Sequence, residues 1–132
     1  MTQTPFRDGS SGFDDVNGFT VTEAGPDRTV VEWDVGPQHL QPTGIVHGGV
    51  YCTVVETAAS VGAAFWLGDQ GTVVGVSNQT DFLRAISTGH LTAVASPIHR
   101  GRSQQLWQVE ITDEQDRRIA RGQVRLQNLQ TS

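Results

Sequence analysis

A long stretch without charge occupies the middle of the chain. Between Asp34 and Asp69, only Glu56 is an Asp, Glu, Lys or Arg residue. A helix that is apolar on every side must be wrapped by other elements or shared with another chain. Small residues would let another backbone come close to it. These are Ala58, Ala59, Ser60, Gly62, Ala63 and Ala64. We therefore predict a long, covered helix over residues 48–67, ended by Gly68.

Strands are predicted on both sides of this helix. "GFTVTEA" and "RTVVEWDV", joined by a Gly-Pro turn, indicate a hairpin, and "GPQHLQPTG" is a loop. Four longer strands follow the helix: "GTVVGVSNQTDFL", "HLTAVASPIH", "SQQLWQVEIT" and "RRIARGQVRLQNL". This order predicts an α+β domain over 18–132, with an antiparallel sheet around the helix. Residues 1–17 are predicted to be a flexible arm that can hold a short helix, with Ser11 as its cap.

Composition excludes several classes of function. A chain of 132 residues suits one domain, and its net charge of -5 argues against nucleic-acid binding. Cys52 is the only cysteine, so no internal disulfide can form, and "MTQTPFRDGSSG" carries no secretory signal. We expect a cytoplasmic protein without a membrane partner, because polar residues interrupt the apolar run. The histidines and Cys52 show no metal-ligand spacing, so no metal or other cofactor is expected.

The start of the predicted helix is a candidate site for a carbonyl oxygen. Free backbone N–H groups and partial positive charge gather at a helix N-terminus, and Gly48 and Gly49 would leave room for a ligand there. The alternative is a tight turn into the helix. His47 can serve as a proton donor or orienter, although such a histidine more often caps the turn.

Glu56 is the second candidate. Apolar surroundings disfavour an ionised carboxylate and make it a better general base near neutral pH; it could also attack a carbonyl directly. Thr53 and Ser60 lie one turn away on either side and would hold the carboxylate or a water. The alternative is a structural carboxylate bonded to a buried partner.

Helix geometry separates these two candidates. Gly48 and Glu56 are eight residues apart, which is roughly 12 Å of axial rise. A glutamate cannot span that distance to act on a carbonyl at its own helix N-terminus. If both groups serve one carbonyl, two chains with antiparallel helices must supply them, which requires a homodimer.

One further motif carries chemistry. "HRGRS" places Arg100 and Arg102 around a glycine between two strands, next to Ser103. Exposed arginine pairs are usually solvated, but these residues could grip a phosphate-bearing substrate.

Three stretches of the sequence resemble a known family. "GIVHGGVYCTVVETAAS" is similar to the signature of hotdog-fold acyl-CoA thioesterases of the phenylacetate-degradation and 4-hydroxybenzoyl-CoA type. "DFLRAISTGHL" and "HRGRSQQLWQVEITDEQDRRIARGQV" extend the resemblance over residues 18–128. It implies a hotdog fold, in which five or six strands wrap the helix. It also implies a dimer with shared active sites, often paired into a tetramer.

The resemblance also implies roles for individual residues. Gly48 would polarise the thioester carbonyl, Glu56 of the other subunit would be base or nucleophile, and Gln41 would lie near the thioester or water. Ser60 would assist the carboxylate, Ser77 would position water, and the Arg100–Ser103 segment would contact the nucleotide phosphates. The substrate would be an acyl-CoA, with an aromatic or fatty acyl group.

Two other readings stay open. A hotdog hydratase or dehydratase would pair a catalytic histidine, for which His39 can be proposed, with the helix carboxylate. The dehydratase pattern has a proline before the helix glycine, where this chain has His47, and the Asp/His hydratase motif is missing. The other reading is a non-catalytic acyl-CoA binder, which would have no need for a lone carboxylate.

Overall fold

A long helix packed against a six-stranded sheet forms the protein. The computed structural model describes residues 12–131. The elements are α1 Phe13–Val16, β1 Thr20–Glu23, β2 Thr29–Asp34, α2 Gly48–Leu67, β3 Gly71–Phe82, β4 His90–Arg100, β5 Gln104–Thr112 and β6 Arg118–Gln130. Short 3-10 turns lie at Pro37–His39 and Gly68–Gln70. The predicted helix over 48–67 is confirmed, α1 is the short helix anticipated in the arm, and Ser11 lies outside the described residues.

All neighbouring strands run antiparallel, in the order β1-β2-β4-β5-β6-β3. The chain forms the β1–β2 hairpin, crosses through α2, and enters the sheet again at its far edge as β3. Strands β4, β5 and β6 then fill the centre by successive antiparallel pairing. The predicted α+β architecture with a wrapped helix is therefore confirmed, and the sheet has six strands.

The core lies between α2 and one face of the sheet. Strands β4, β5 and β6 alternate between buried and more exposed residues, which is the pattern of a sheet with one covered face. Gly62 lies in the middle of α2 because the ring of Trp107 occupies the space that a side chain would fill. This close approach brings the helix down onto the sheet.

The expectation that polar residues would keep the apolar run from spanning a membrane is not confirmed by length and composition alone. The stretch Gly48–Gln70 is long enough and apolar enough to do so. In the structure, half of its most apolar 18-residue window is buried inside the protein, and a helix in a protein core can pass the same test of length and composition.

Strand β3 contains an irregularity that decides which of its side chains face α2. The pairing of β3 with β6 steps from Gly75 opposite Leu126 to Ser77 opposite Arg125, so Val76 is an extra, bulged residue. A one-residue bulge reverses the alternation beyond it. The contacts of Asn78 with the helix show that this even-numbered residue faces α2 beyond the bulge.

Candidate active site

The N-terminus of α2 opens onto a mostly apolar pocket. This pocket has a volume of about 210 Å³. Its lining consists of Gln41, Ile45, Val46, Gly48, Tyr51, Phe82, Leu83, Arg84 and Ala85. Two residues that the sequence proposed for one site, Gln41 and Gly48, therefore meet here, although they lie on a loop and a helix. Glu56 is not part of this lining.

The backbone at the start of α2 leaves one donor available. His47 caps the helix: its Nδ1 accepts a hydrogen bond of 2.8 Å from the Gly49 N–H, and its carbonyl accepts one of 2.9 Å from the Val50 N–H. No described residue accepts from the Gly48 N–H. The capping interpretation of His47 is confirmed, and Gly48 presents the free N–H at the pocket.

Phe82 explains why position 48 is a glycine. A Cβ atom there would run into the Phe82 ring, which lies against the helix start and tilts against Tyr51 with ring centroids 5.9 Å apart. The Tyr51 side chain is buried, and its hydroxyl has no hydrogen-bond partner among the described residues. Burial raises the pKa of Tyr51 to about 12, so this wall of the pocket is uncharged at neutral pH.

Glu56 lies further along α2 and is held by strand β3. Its Oε1 accepts a hydrogen bond of 3.1 Å from Asn78 Nδ2, which also donates to the Cys52 carbonyl at 3.0 Å. Its Oε2 lies over the Cα atom of Gly75, where a Cβ atom would collide with it. The carboxylate is half-buried, and no described cation pairs with it.

The residues predicted to assist Glu56 are arranged differently from expectation. Thr53 does not hold the carboxylate, because its hydroxyl donates to the Gly49 carbonyl at 2.9 Å. Ser60 lies on the same helix with no described hydrogen bond to Glu56. Ser77 falls just beyond the bulge, so Asn78 rather than Ser77 faces Glu56 within the chain. Sequence reasoning missed Asn78 because alternation alone cannot locate a bulge.

The two arginines of the "HRGRS" segment differ in their contacts. Arg100 is used within the chain: its guanidinium donates to the Pro26 carbonyl at 2.7 Å and pairs with Asp27 at 2.9 Å. It also lies 5.6 Å from the centre of the Trp66 ring. The side chain of Arg102 is exposed, whereas its backbone carbonyl accepts a hydrogen bond from Asn128.

Buried hydrogen bonds fix the shape of that segment. Asn128 Nδ2 also donates to the Gly101 carbonyl, and the Asn128 N–H donates to the Ser103 carbonyl at 2.9 Å. Gln105 Nε2 in turn donates to Asn128 Oδ1 at 2.9 Å. Arg102 and Ser103 therefore extend from a rigid base at the opposite end of α2 from Gly48.

His39 is committed to the fold. Its Nδ1 accepts from the Gly36 N–H at 2.9 Å, its Nε2 lies 2.7 Å from the Asn17 carbonyl, and its ring stacks on Phe19. Both nitrogens are satisfied and the side chain is buried. Over residues 12–131, no group of three or more His, Cys, Asp or Glu side chains is placed to hold a metal ion.

Comparison with known proteins agrees with this architecture. A long helix wrapped by an antiparallel sheet, with a glycine-rich helix start, is the hotdog fold. The family model of the Thioesterase superfamily matches residues 43–120. The chain belongs to this superfamily and is a thioester hydrolase.

Three relatives illustrate the relationship. The Mycobacterium tuberculosis protein Rv1847 is 56% identical over 121 residues, which cover 89% of this chain and 86% of the relative. Its solved structure has a TM-score of 0.89 at 55% identity and covers 92% of this chain and 98% of its own. The 1,4-dihydroxy-2-naphthoyl-CoA hydrolase of Listeria monocytogenes is 34% identical over 80% of this chain and 86% of its own length. The proofreading thioesterase EntH of Cronobacter sakazakii is 35% identical over 76% of this chain and 74% of its own.

Proposed function

We propose that the protein hydrolyses an acyl-CoA or aryl-CoA thioester to the free acid and CoA. The observation that carries this proposal is the free Gly48 N–H, which stands at the start of a twenty-residue helix beside an apolar pocket that also contains Gln41. Such a donor is suited to the charge that develops on a thioester carbonyl oxygen. The Listeria relative, whose name gives a CoA ester as its substrate, supports the choice of carrier.

In the proposed reaction, the carbonyl oxygen accepts a hydrogen bond from Gly48 N–H and the acyl group lies against Tyr51 and Phe82. Glu56 takes a proton from water while the water oxygen bonds to the carbonyl carbon. The tetrahedral intermediate then collapses with cleavage of the C–S bond, and the departing thiolate takes up the proton. Alternatively, the Glu56 carboxylate attacks the carbon itself and the C–S bond breaks, which releases the thiolate and leaves a mixed anhydride. Water then cleaves this anhydride to the free acid and the Glu56 carboxylate, and its proton passes to the thiolate.

Two chains would have to share each site. Glu56 is eight residues, or roughly 12 Å of helix, from Gly48. A single-chain pocket of about 210 Å³ is also smaller than the roughly 300–1,000 Å³ of most ligand sites, as expected for half a site. A second chain that docks with its helix antiparallel would bring its Glu56 to the pocket.

Strand β3 is the surface that we propose for this docking. It is twelve residues long, it forms an edge of the sheet, and it exposes Val74 and Val76 by 43% and 54%. A long apolar edge strand invites pairing with another chain. The dimer places β3 of each chain at the interface, and two such dimers can pair as a tetramer.

The hydratase or dehydratase alternative is disfavoured by His39. A catalytic histidine needs a ring nitrogen free to exchange a proton with substrate, and both nitrogens of His39 are engaged within the fold. A non-catalytic binder is disfavoured by the half-buried carboxylate of Glu56, which has a dedicated amide partner.

Glu56→Gln tests the proposal, because it removes the base and nucleophile and keeps the size of the side chain. Hydrolysis is measured by free thiol release across aromatic and fatty acyl-CoA esters, and binding by calorimetry. We expect the turnover to fall by about 10³-fold or more while acyl-CoA still binds. An unchanged turnover number would refute the role of Glu56, and acyl-CoA binding without hydrolysis by the parent protein would favour a binder.

A further inference from the structure

The side of α2 that carries Glu56 faces a small hydrogen-bonded unit on strand β3. Asn78 Nδ2 donates to Glu56 Oε1 at 3.1 Å and to the Cys52 carbonyl at 3.0 Å. The Thr80 hydroxyl donates to Asn78 Oδ1 at 2.7 Å. These contacts use both N–H bonds of Nδ2 as donors and one acceptor site of Oδ1.

The Cys52 carbonyl fixes the direction of this amide. An asparagine amide can be turned over, and only its neighbours decide which end is the donor. The Cys52 carbonyl and the Glu56 carboxylate can only accept, so the NH₂ group points towards them, and the Thr80 hydroxyl, which can donate or accept, donates to Oδ1. The carboxylate therefore always meets a donor.

Two glycines make room for the unit. A Cβ atom at Gly122, on the neighbouring strand β6, would press on the Thr80 hydroxyl. A Cβ atom at Gly75 would collide with Glu56 Oε2. The bulge at Val76 lies between Gly75 and Asn78 and turns both towards the helix.

We propose that Asn78 is a positioning residue for the catalytic carboxylate. It holds Oε1 of Glu56 and leaves Oε2, the oxygen over Gly75, to take the proton from water or to attack the carbonyl. The Cys52 carbonyl keeps Asn78 in the donor orientation, and the hydrogen bond from Thr80 to Oδ1 holds the amide in place. This inference rests on the proposed function, because it assigns Asn78 a task only if Glu56 is the reacting group.

The geometry also explains why an amide suits this position. No described cation pairs with Glu56, so Asn78 is its hydrogen-bond donor without being a counter-charge. A neutral donor orients the carboxylate without placing a positive charge beside it. The arrangement thereby fixes the carboxylate by hydrogen bonding alone.

The test compares Asn78→Asp, Asn78→Ala and Thr80→Val with Gln79→Ala, a control on the same strand that does not contact Glu56. For each variant we would measure the turnover number, KM, the pH profile of kcat/KM and thermal stability. We expect Asn78→Ala and Asn78→Asp to lower the turnover number by about 10- to 100-fold, with KM within about 3-fold. In Asn78→Asp, the second negative charge beside Glu56 moves the acidic limb of the profile to higher pH.

Thr80→Val keeps the shape of the side chain at position 80 and removes the hydrogen bond to Asn78 Oδ1. We expect a smaller loss of turnover number, of about 3- to 10-fold, without a change in KM. Because this substitution is mild, it still decides the matter if the Asn78 variants do not fold. A purely structural role for Asn78 would lower thermal stability and leave the turnover number and the acidic limb of the folded protein unchanged.

The outcomes separate the two proposals. If Glu56→Gln is inactive while Asn78→Asp and Thr80→Val both match the parent protein in turnover number and pH profile, the positioning role is overturned and the proposed function stands. If Glu56→Gln retains full turnover, the proposed function fails, and with it the reason to assign Asn78 a role.

Discussion

The substitution Gly75→Ala should move the Glu56 carboxylate while it leaves the stability of the fold almost unchanged. The added methyl group would occupy the space of Glu56 Oε2. A carboxylate is the far end of a flexible side chain and can swing away. The clash therefore costs little free energy, and the lower chain entropy of alanine in the unfolded state offsets part of it. We expect the free energy of unfolding to change by less than about 1 kcal/mol.

Activity should respond far more strongly. A reacting group displaced by about 1 Å loses roughly 10²-fold in rate, which corresponds to about 2.7 kcal/mol in the barrier. We therefore expect the turnover number to fall about 100-fold, while KM and the melting temperature stay close to those of the parent protein. Thiol release and thermal unfolding give both numbers.

Gly25→Ala is the matched control, because a Cβ atom there meets only the Arg28 carbonyl at an ordinary 3.6 Å. It should change neither quantity. Full turnover in Gly75→Ala would show that the enzyme does not need the Glu56 carboxylate to lie over Gly75 during the reaction. A large loss of stability would show that the clash falls on the backbone rather than on Glu56.

Three further predictions concern the fold. Tyr51→Phe removes a buried hydroxyl that has no described partner, so it should stabilise the protein by about 1–3 kcal/mol in thermal or urea unfolding; destabilisation would reveal a hidden partner. Gly62→Ala drives a methyl group into the Trp107 ring and should cost about 1–3 kcal/mol, and an unchanged unfolding midpoint would contradict the packing of α2 on the sheet. The pKa of His90 is raised by a hydrogen bond to Glu32 and, to a smaller extent, by one to Asp34. The stability that protonated His90 contributes to the fold is therefore fully present below the pKa of histidine in the unfolded chain, and it is lost as pH rises through the pKa in the folded protein. His90→Gln should therefore lower the melting temperature by at most about 4 °C near pH 5 and by less near pH 9, and an equal loss at both would refute this linkage.

The helix and the succession of strands along the chain were predictable because they depend on local patterns. The exclusion of charge around Glu56 and the stop at Gly68 mark α2, and the alternation in β5 marks a sheet with one covered face. The glycines before α2 likewise pointed to a helix start, where Gly48 now presents its N–H.

The surroundings of Glu56 were not predictable from the same patterns. A period of two assigns alternate residues to one face, but it cannot show that Val76 is an extra residue that brings Asn78 to the helix instead of Ser77. The engagement of Arg100 with Asp27 joins residues that are far apart in the chain, so it depends on how β4 lies against the β1–β2 turn. Such details require the three-dimensional pairing of the strands.

A subunit-mixing experiment tests most directly whether Gly48 of one chain and Glu56 of another form one site. Glu56→Gln and Gly48→Pro would each be inactive alone. The proline removes the N–H and suits the first residue of a helix, and its ring also presses on Phe82 in the same pocket, so both effects fall on one site. Co-expressed with two different tags, they form mixed dimers in which one site carries both lesions and the other carries none. If two chains share each site, the purified mixed dimer has about half the parent activity, since one of two sites is intact. A mixed dimer as inactive as the single variants would contradict this arrangement, because every site would then lie within one chain.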